Sequence, residues 1–208
     1  MTENAKTVNV AVLVSGGGTN LQALIDAQTN GILTSGKIRL VISNKAGVYA
    51  LKRAELAGIP SLVITKKDCG SQEEMEKRII QALEAYGIDL IVLAGFLSIL
   101  SADFTRRYDH RIINIHPSLI PSFCGAGFYG LKVHEAALQK GVKVTGATAH
   151  FVNEIPDGGE IILQKAVNVH EGDTPEILQK RVMKQAEWRI LPAAVEKVSR
   201  RMLETAGK

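Results

Sequence analysis

The fold is decided by the stretch Val8-Asn9-Val10-Ala11-Val12-Leu13-Val14-Ser15-Gly16-Gly17-Gly18-Thr19-Asn20 near the start of the chain. Its first part is a short run rich in β-branched side chains, which predicts a strand. Leu21, Leu24 and Ile25 follow with the spacing of the apolar face of a helix. The stretch therefore predicts a strand, a tight turn and a helix in immediate succession.

The same order of elements recurs along the first half of the chain. Strands are expected at residues 38–43, 61–64, 90–94 and 111–115, and helices at 48–57 and 72–86. Strands that alternate with helices form βαβ units, whose right-handed crossovers place parallel strands side by side. We expect an α/β fold with an open, mostly parallel, twisted sheet and helices on both faces.

The second half of the chain has a different texture. Residues 117–130 are rich in Pro and Gly but contain Phe123, Phe128 and Tyr129, which favours a functional loop over disorder. In chain order we expect this loop, a helix at 132–140, antiparallel strands at 142–153 and 160–169, and a long closing helix at 175–203 that bends near Pro192.

The composition suits one globular domain over residues 1–208. Hydrophobic residues make up 46% of the chain, and its 25 Lys and Arg are interleaved with 21 Asp and Glu, which argues against a nucleic-acid partner. The polar residues 1–7 lack an apolar targeting segment, and the longest apolar stretch, 88–100, is too short to span a bilayer. We expect a soluble, cytoplasmic protein with no membrane partner, whose Cys69 and Cys124 are free thiols.

The turn at residues 15–20 is a candidate phosphate site. Backbone N–H groups at a helix N-terminus bind anions, and the three glycines allow close approach. The alternative is that these glycines form only a tight turn. A Walker loop is excluded because no Lys follows the last glycine, and the dinucleotide fingerprint fits poorly.

A second candidate site lies at the end of the strand expected at 111–115. Asn114 and His116 alternate along it, so their side chains share one face, and Pro117 ends the strand at the carboxyl edge where ligands of such sheets bind. His150 and Asp157 follow later in the chain. A carboxamide, an imidazole and a carboxylate are together the minimum set for acyl transfer to an amine. The alternatives are that each His is structural and that Asp157 serves only turn geometry.

The other histidines carry no assigned role. His110, His134 and His170 occupy expected surface or helix positions. No pair of histidines has the spacing of metal ligands, so we expect no metal.

Four ordered motifs resemble the phosphoribosylglycinamide formyltransferases of purine synthesis, which use 10-formyltetrahydrofolate as formyl donor. The resemblance extends from Val8 to Pro192. Its motifs are Val14-Ser15-Gly16-Gly17-Gly18-Thr19-Asn20-Leu21-Gln22, Leu93-Ala94-Gly95-Phe96-Leu97, Ile113-Asn114-Ile115-His116-Pro117-Ser118-Leu119-Ile120-Pro121, and Thr148-Ala149-His150-Phe151-Val152 with Asp157-Gly158-Gly159.

The resemblance implies a catalytic trio of Asn114, His116 and Asp157. Asn114 and His116 would stabilise the oxyanion formed when the substrate amine attacks the formyl carbon. Asp157 would orient the imidazole, favour its protonated form and help to move the proton.

The resemblance also implies which residues bind the substrates. The ribonucleotide phosphate is expected to bind in the N-terminal half of the chain, and the catalytic and folate site is expected in the C-terminal half. The implied partners are small molecules, and the protein is expected to be a monomer or a weak homodimer. The implied substrate-binding residues are Gly17, Gly18, Thr19 and Asn20 for the phosphate and Lys184 and Glu187 for the ribose; those for the folate are Phe96, Leu97, Ser98, Ile99, Leu100, Asn114, His150, Asn153 and Asp157.

The chain departs from the bacterial members in three places. Gln72 stands where an Arg for the folate tail is expected, and the loop Ser122-Phe123-Cys124-Gly125-Ala126-Gly127-Phe128-Tyr129-Gly130 is longer than in some of them. One extra residue between Arg181 and Pro192 affects the assignment of Glu187. The catalytic trio is unaffected.

Three other readings compete with this one. A methionyl-tRNA formyltransferase is expected to carry a further C-terminal domain and a strongly basic face, and a formyltetrahydrofolate deformylase a regulatory N-terminal domain. A non-catalytic nucleotide- or folate-binding module would make the trio dispensable.

Overall fold

A computed structural model describes residues 6–207, which form two compact units. The first unit comprises the described residues up to Ser98 together with those from Val195 onward, and the second runs from Ile99 to Ala194. The expectation that the whole chain is a single domain stays a prediction. No helix within residues 6–207 is long and apolar enough to cross a membrane.

The first unit contains four parallel strands in the order β3-β2-β1-β4. The central strand β1 is buried along nearly its whole length, as its almost unbroken apolar sequence requires. The elements of the first unit, in chain order, are β1 (Val8–Val14), α1 (Thr19–Thr29), β2 (Gly36–Ser43), α2 (Tyr49–Leu56), β3 (Ser61–Val63), α3 (Lys66–Cys69), α4 (Gln72–Ala85) and β4 (Leu90–Leu93).

The second unit contains three antiparallel strands in the order β5-β6-β7. The expected strand pair is therefore part of a three-stranded arrangement. Its elements are α5 (Ala102–Arg107), β5 (Ile112–His116), α6 (Leu131–Lys140), β6 (Val144–Phe151), β7 (Ile161–Asn168), α7 (Pro175–Val182), a π-helical turn (Met183–Glu187) and α8 (Trp188–Ala206), of which the residues from Val195 belong to the first unit.

The long closing helix predicted at 175–203 is divided by an irregularity that the sequence did not predict. The irregularity is the π-helical turn Met183–Glu187, whereas Pro192 lies inside α8. Proline removes one backbone donor from a helix, and Pro192 is accommodated inside α8 without a break in the helix. The bend predicted near Pro192 stays a prediction.

Both cysteines are free thiols, as predicted. Helix α4 begins at Gln72, also as predicted, because the Ser71 hydroxyl accepts a hydrogen bond from the Glu74 backbone N–H and caps the helix. Gln72 itself donates to Glu76 one turn later.

Candidate active site

The pairing of β5 with β6 places two predicted site residues opposite each other. Asn114 lies across from His150, and His116 lies across from Thr148. The Asn114 amide nitrogen is 3.1 Å from His150 Nε2. Because side chains alternate along a strand, His116 shares the face of Asn114, as the sequence predicts.

Asp157 lies against both histidines and the amide. Its Oδ1 is 3.4 Å from Asn114 Nδ2 and 3.6 Å from His150 Nε2, while its Oδ2 is 3.4 Å from His116 Nδ1. The Gly125 backbone N–H also donates to Oδ2, at 2.8 Å. Only 13% of the Asp157 side chain is exposed. These four side chains, Asn114, His116, His150 and Asp157, form one cluster, which we call the Asp157 cluster.

The backbone around Asp157 explains why two glycines follow it. Asp157 has a φ of 56°, in the left-handed region. A Cβ added at Gly159 would lie 1.8 Å from the Phe151 carbonyl oxygen, so only glycine fits there. The Asp-Gly-Gly sequence therefore serves turn geometry and, through that geometry, brings a carboxylate back to β5.

His116 has hydrogen-bonding groups at both ring nitrogens. Nε2 lies 2.9 Å from the Phe123 carbonyl oxygen, and Nδ1 faces Asp157. Burial lowers the pKa of His116, although the charge of Asp157 and the Phe123 carbonyl act in the opposite direction. Asp157 thus favours the protonated ring as expected, but desolvation is the larger effect and the net shift favours neutral imidazole.

His150 has a defined tautomer in its neutral form. Its Nδ1 is 2.7 Å from the Phe151 carbonyl oxygen, which can only accept, so Nδ1 carries the hydrogen. Nε2 is then an acceptor for the Asn114 amide. This bond fixes which end of the Asn114 carboxamide holds the NH₂ group.

Asp157 remains ionised in this setting. Burial opposes its charge, but a proton on His150 Nε2, the Gly125 N–H that donates to Oδ2 and a positive charge on His116 lower the pKa of Asp157 overall. At neutral pH the cluster therefore holds a carboxylate next to imidazoles and a carboxamide.

The predicted functional loop at 117–130 supplies two backbone groups to the cluster, the Phe123 carbonyl and the Gly125 N–H. The start of the loop is held by Thr148, whose hydroxyl donates to the Ser118 carbonyl at 2.7 Å and accepts from the Ile120 N–H at 3.1 Å. Sequence reasoning missed both backbone partners, because any residue type carries these groups.

The glycine turn lies in the first unit and leads directly into α1. Gly18 has a φ of 71° and provides no side-chain cap for the helix. Gly17 is exposed, and a Cβ added there would meet nothing within 4 Å. Asn20 is buried at the start of α1, whereas Thr19 is half-buried. The turn therefore presents exposed backbone at a helix N-terminus.

The residues assigned to the folate expose apolar surface. Leu97 is 58% exposed and Ile99 is 74% exposed, whereas Leu100 is buried. The Ser15 hydroxyl accepts a hydrogen bond from the Leu97 N–H and holds that backbone. Phe96 and Ser98 are half-buried.

Asn153 shapes the loop that leads to Asp157. Its side-chain oxygen accepts from the Ile155 N–H at 3.0 Å, and its amide donates to the Gly158 carbonyl at 3.3 Å. Ile155, at the top of this loop, is 60% exposed. Asn153 is thus engaged in the turn itself.

Lys184 and Glu187 both lie in the π-helical turn. Lys184 is exposed, but Glu187 is only 5% exposed. A carboxylate is rarely buried without a compensating interaction. π turns are often found at functional sites, which accords with the role assigned to this segment.

Comparison with known proteins gives the family. The sequence matches the family described as "Formyl transferase" over residues 8–195. The chain belongs to the formyl transferase family. Phosphoribosylglycinamide formyltransferase of Haemophilus influenzae is 43% identical over 187 residues, which cover 90% of this chain and 85% of that protein. The family resemblance inferred from the motifs is confirmed.

Longer relatives contain a similar segment. The trifunctional purine biosynthetic protein adenosine-3 of Gallus gallus is 50% identical over 192 residues, but this chain spans only 18% of its length.

Solved structures of family members share the fold. Glycinamide ribonucleotide transformylase 1 from Symbiobacterium toebii has a TM-score of 0.88 at 39% identity, covering 96% of this chain and 91% of that chain. Phosphoribosylglycinamide formyltransferase from Brucella melitensis has a TM-score of 0.85 at 43% identity, covering 93% and 96%. The predicted fold class is confirmed.

His134, expected at a surface or helix position, lies in a helix and is buried there. His134 in α6 is 0% exposed, and neither ring nitrogen has a hydrogen-bond partner among residues 6–207. The apolar spacing of this helix could have predicted the burial of His134, because Val133 and Ala137 of the same helix are also buried. Burial lowers the pKa of His134 to about 4, and the charge of His116 contributes in the same direction.

We expect replacement of His134 by leucine to reduce the sensitivity of the fold to acid. The unfolded ring has its ordinary pKa near 6.5 and takes up a proton before the folded ring does, so stability is lost as the pH falls from above 6.5 towards 4. Between pH 7 and pH 5 the unaltered protein should lose about 2 kcal/mol more unfolding free energy than His134→Leu. Urea unfolding at both pH values measures this difference.

The matched control is His170→Leu, because His170 is exposed. It should keep the acid sensitivity of the unaltered protein. Equal losses of stability in the unaltered protein and in His134→Leu contradict the assignment of His134 as a neutral buried ring.

Proposed function

We propose that this chain is a phosphoribosylglycinamide formyltransferase, which transfers the formyl group of 10-formyltetrahydrofolate to the amine of glycinamide ribonucleotide. The observation that carries the proposal is the Asp157 cluster, in which Asn114 and His116 each lie 3.4 Å from a carboxylate oxygen of Asp157. The 43% identity to the Haemophilus influenzae enzyme of that name also supports the proposal.

The reaction needs no covalent enzyme intermediate. The neutral amine attacks the formyl carbon, the carbonyl oxygen becomes an oxyanion, and the bond between the formyl carbon and the donor nitrogen then breaks. The amine loses a proton and the donor nitrogen gains one, so the proton balance is even. A charge that develops on oxygen is stabilised by N–H donors placed in advance.

We assign these tasks to the cluster as follows. With substrate bound, the oxyanion takes the place of the Phe123 carbonyl as acceptor for the His116 Nε2–H. It also accepts the Asn114 N–H that otherwise faces Asp157 Oδ1, and His116 carries the proton. Asp157 orients His116 through Nδ1 and stabilises the positive charge that the ring acquires. His150 holds the Asn114 amide in the donating orientation.

For the formyl donor we retain the predicted residues Phe96, Leu97, Ser98, Ile99, Leu100, Asn114, His150, Asn153 and Asp157. The exposed side chains of Ile99 and Ile155 in the second unit support this assignment, because a flat heterocycle is bound by apolar surface combined with a few polar groups. The absence of a catalytic metal stays a prediction.

For the ribonucleotide we retain Gly17, Gly18, Thr19 and Asn20 at the phosphate and Lys184 and Glu187 at the ribose. The exposed backbone at Gly17 and the uncapped start of α1 support a phosphate at the glycine turn.

A substitution at Gly17 tests the phosphate role more cleanly than one at Gly18. A Cβ at Gly18 would lie 2.7 Å from the Ala50 Cβ, so a side chain there would strain the protein itself. Gly17 has open space, so Gly17→Val leaves the fold intact and obstructs only an approaching anion. We expect a Michaelis constant for the ribonucleotide that is about tenfold or more higher, equivalent to about 1.4 kcal/mol.

Steady-state kinetics with each substrate varied in turn measures this effect. The Michaelis constant for the formyl donor should stay within about twofold, a difference below about 0.5 kcal/mol. Unchanged affinity for the ribonucleotide in Gly17→Val means that the glycines serve only the turn.

The proposed reaction is tested with purified protein, glycinamide ribonucleotide and 10-formyltetrahydrofolate. Tetrahydrofolate should appear in proportion to the formylated ribonucleotide. Release of tetrahydrofolate without the ribonucleotide supports a deformylase, and formylation of methionyl-tRNA supports the tRNA-specific enzyme. Either result in place of ribonucleotide formylation overturns the proposal.

A further inference from the structure

Helix α2 contacts the glycine turn at two consecutive carbonyl groups. The Ala50 backbone N–H donates to the Gly16 carbonyl oxygen at 3.1 Å. Arg53 Nε donates to the Gly17 carbonyl oxygen at 2.9 Å. Both carbonyls are thus directed towards α2.

The direction of these carbonyls determines where the next N–H groups point. In a trans peptide the C=O of one residue and the N–H of the following residue lie on opposite sides of the bond. The N–H groups of Gly17 and Gly18 are therefore turned away from α2. Adjacent N–H groups that point to one side form a concave site for an anion.

The Arg53 guanidinium is held from two further directions. Nη1 donates to the Gln22 side-chain oxygen on α1 at 2.8 Å. The guanidinium carbon also lies 4.9 Å from the centre of the Tyr49 ring, a cation–π distance. A charged donor that is fixed in this way makes a stronger and better-defined hydrogen bond than a mobile one.

We propose that Arg53 is the positioning residue of the phosphate site, acting through the Gly17 carbonyl to hold the Gly18 N–H towards a phosphate monoester. This inference rests on the proposed function, because it takes the glycine turn to bind the substrate phosphate. Arg53 acts on the orientation of the peptide and contacts no reacting atom. It also leaves a positive charge beside the turn, which favours an anion.

The first test uses inorganic phosphate as the probe and follows the Gly17 and Gly18 amide resonances of the full chain. In the unaltered protein both resonances should shift on titration. Arg53→Ala should weaken this binding about tenfold, the scale of one hydrogen bond from a charged donor. The matched control is Lys52→Ala, which removes an equal charge from the neighbouring exposed position, where Lys52 pairs with Glu55.

Lys52→Ala should bind phosphate as the unaltered protein does. An equal loss in both variants shows a general charge effect and overturns the inference. It is also overturned if phosphate leaves Gly17 and Gly18 unshifted in the unaltered protein, or if Arg53→Ala binds phosphate normally.

The second test compares glycinamide ribonucleotide with its dephosphorylated riboside. Arg53→Ala should raise the Michaelis constant for the ribonucleotide about tenfold at nearly constant kcat, and should have no such effect on the riboside. Arg53→Lys should give an intermediate value, because an ammonium can reach the Gly17 carbonyl but cannot bind Gln22 in the same fork. An equal loss with both substrates means that Arg53 serves the fold alone.

These two tests separate the inference from the proposed function. If the unaltered protein formylates no ribonucleotide, the proposed function fails, while the phosphate titration still decides the role of Arg53.

Discussion

His116→Ala should lower turnover by at least about a hundredfold, which corresponds to about 2.7 kcal/mol in the activation barrier. His116 is 4% exposed, and its imidazole in the Asp157 cluster can both donate to an oxyanion and carry a proton. Alanine supplies neither function. Single-turnover measurement of formyl transfer, with both substrates saturating, isolates the chemical step from binding.

A matched control separates chemistry from folding. His170→Ala removes an exposed ring and should keep turnover within about twofold, as expected for a substitution outside any buried network. Circular dichroism and urea unfolding should show that His116→Ala is folded at the assay temperature. A folded His116→Ala enzyme with ordinary turnover eliminates the mechanism proposed for the cluster.

Asp157→Asn extends the same argument to the charge of the cluster. The substitution keeps the volume of the side chain but removes the carboxylate that faces His116 Nδ1. A positive charge on the ring would then lose its stabilising partner. The loss of turnover should be of the same order as for His116→Ala, because the two residues act as a unit.

Much of the fold followed from the sequence because long, buried elements leave a clear pattern. The strand at Val8–Val14 was predicted at its observed bounds, because a short and nearly continuous apolar run is typical of a buried strand. The short helices Lys66–Cys69 and Ala102–Arg107 were missed. Elements this short contain little more than one turn, so apolar spacing gives no period to detect.

The sequence predicted the side chains of the site but not the backbone groups that contact them. Asn114 and His116 could be placed on one face by strand alternation, and Asp157 was joined to them only by resemblance, because sequence spacing fixes no distance across a loop. The Phe123 carbonyl and the Gly125 N–H contact the cluster through groups that every residue carries. No residue type marks such contacts in advance.

Glu196→Ala should destabilise the first unit by at least about 3 kcal/mol. Glu196 lies in α8 and accepts hydrogen bonds from the backbone N–H groups of Thr34 and Ser35, at 2.9 and 2.8 Å, and from both of their hydroxyls. Arg200 adds a further contact at 3.0 Å. Alanine removes the charged acceptor of all these hydrogen bonds, and a hydrogen bond to a charged group contributes more to stability than one between neutral groups.

The pH dependence of stability gives this prediction a specific signature. Burial opposes the charge, but the hydrogen bonds from Ser35, Arg200 and Thr34 lower the pKa of Glu196 to about 2, from an ordinary 4.5. The stabilising effect is therefore complete above pH 4.5 and is lost as the pH falls towards 2. Glu196→Gln keeps a side-chain oxygen as acceptor but removes the charge, so it should be less stable than the unaltered protein at pH 7 and lose less stability on acidification.

Glu204→Gln is the matched control, because Glu204 lies on the same helix and is exposed. Its urea midpoint should match that of the unaltered protein at every pH, since an exposed carboxylate contributes little to folding. If Glu196→Gln and Glu204→Gln lose stability in parallel, the hydrogen bonds to Thr34 and Ser35 contribute nothing beyond an exposed charge. The anchoring of α8 must then come from apolar contacts such as those of Val195 and Val198, both of which are buried.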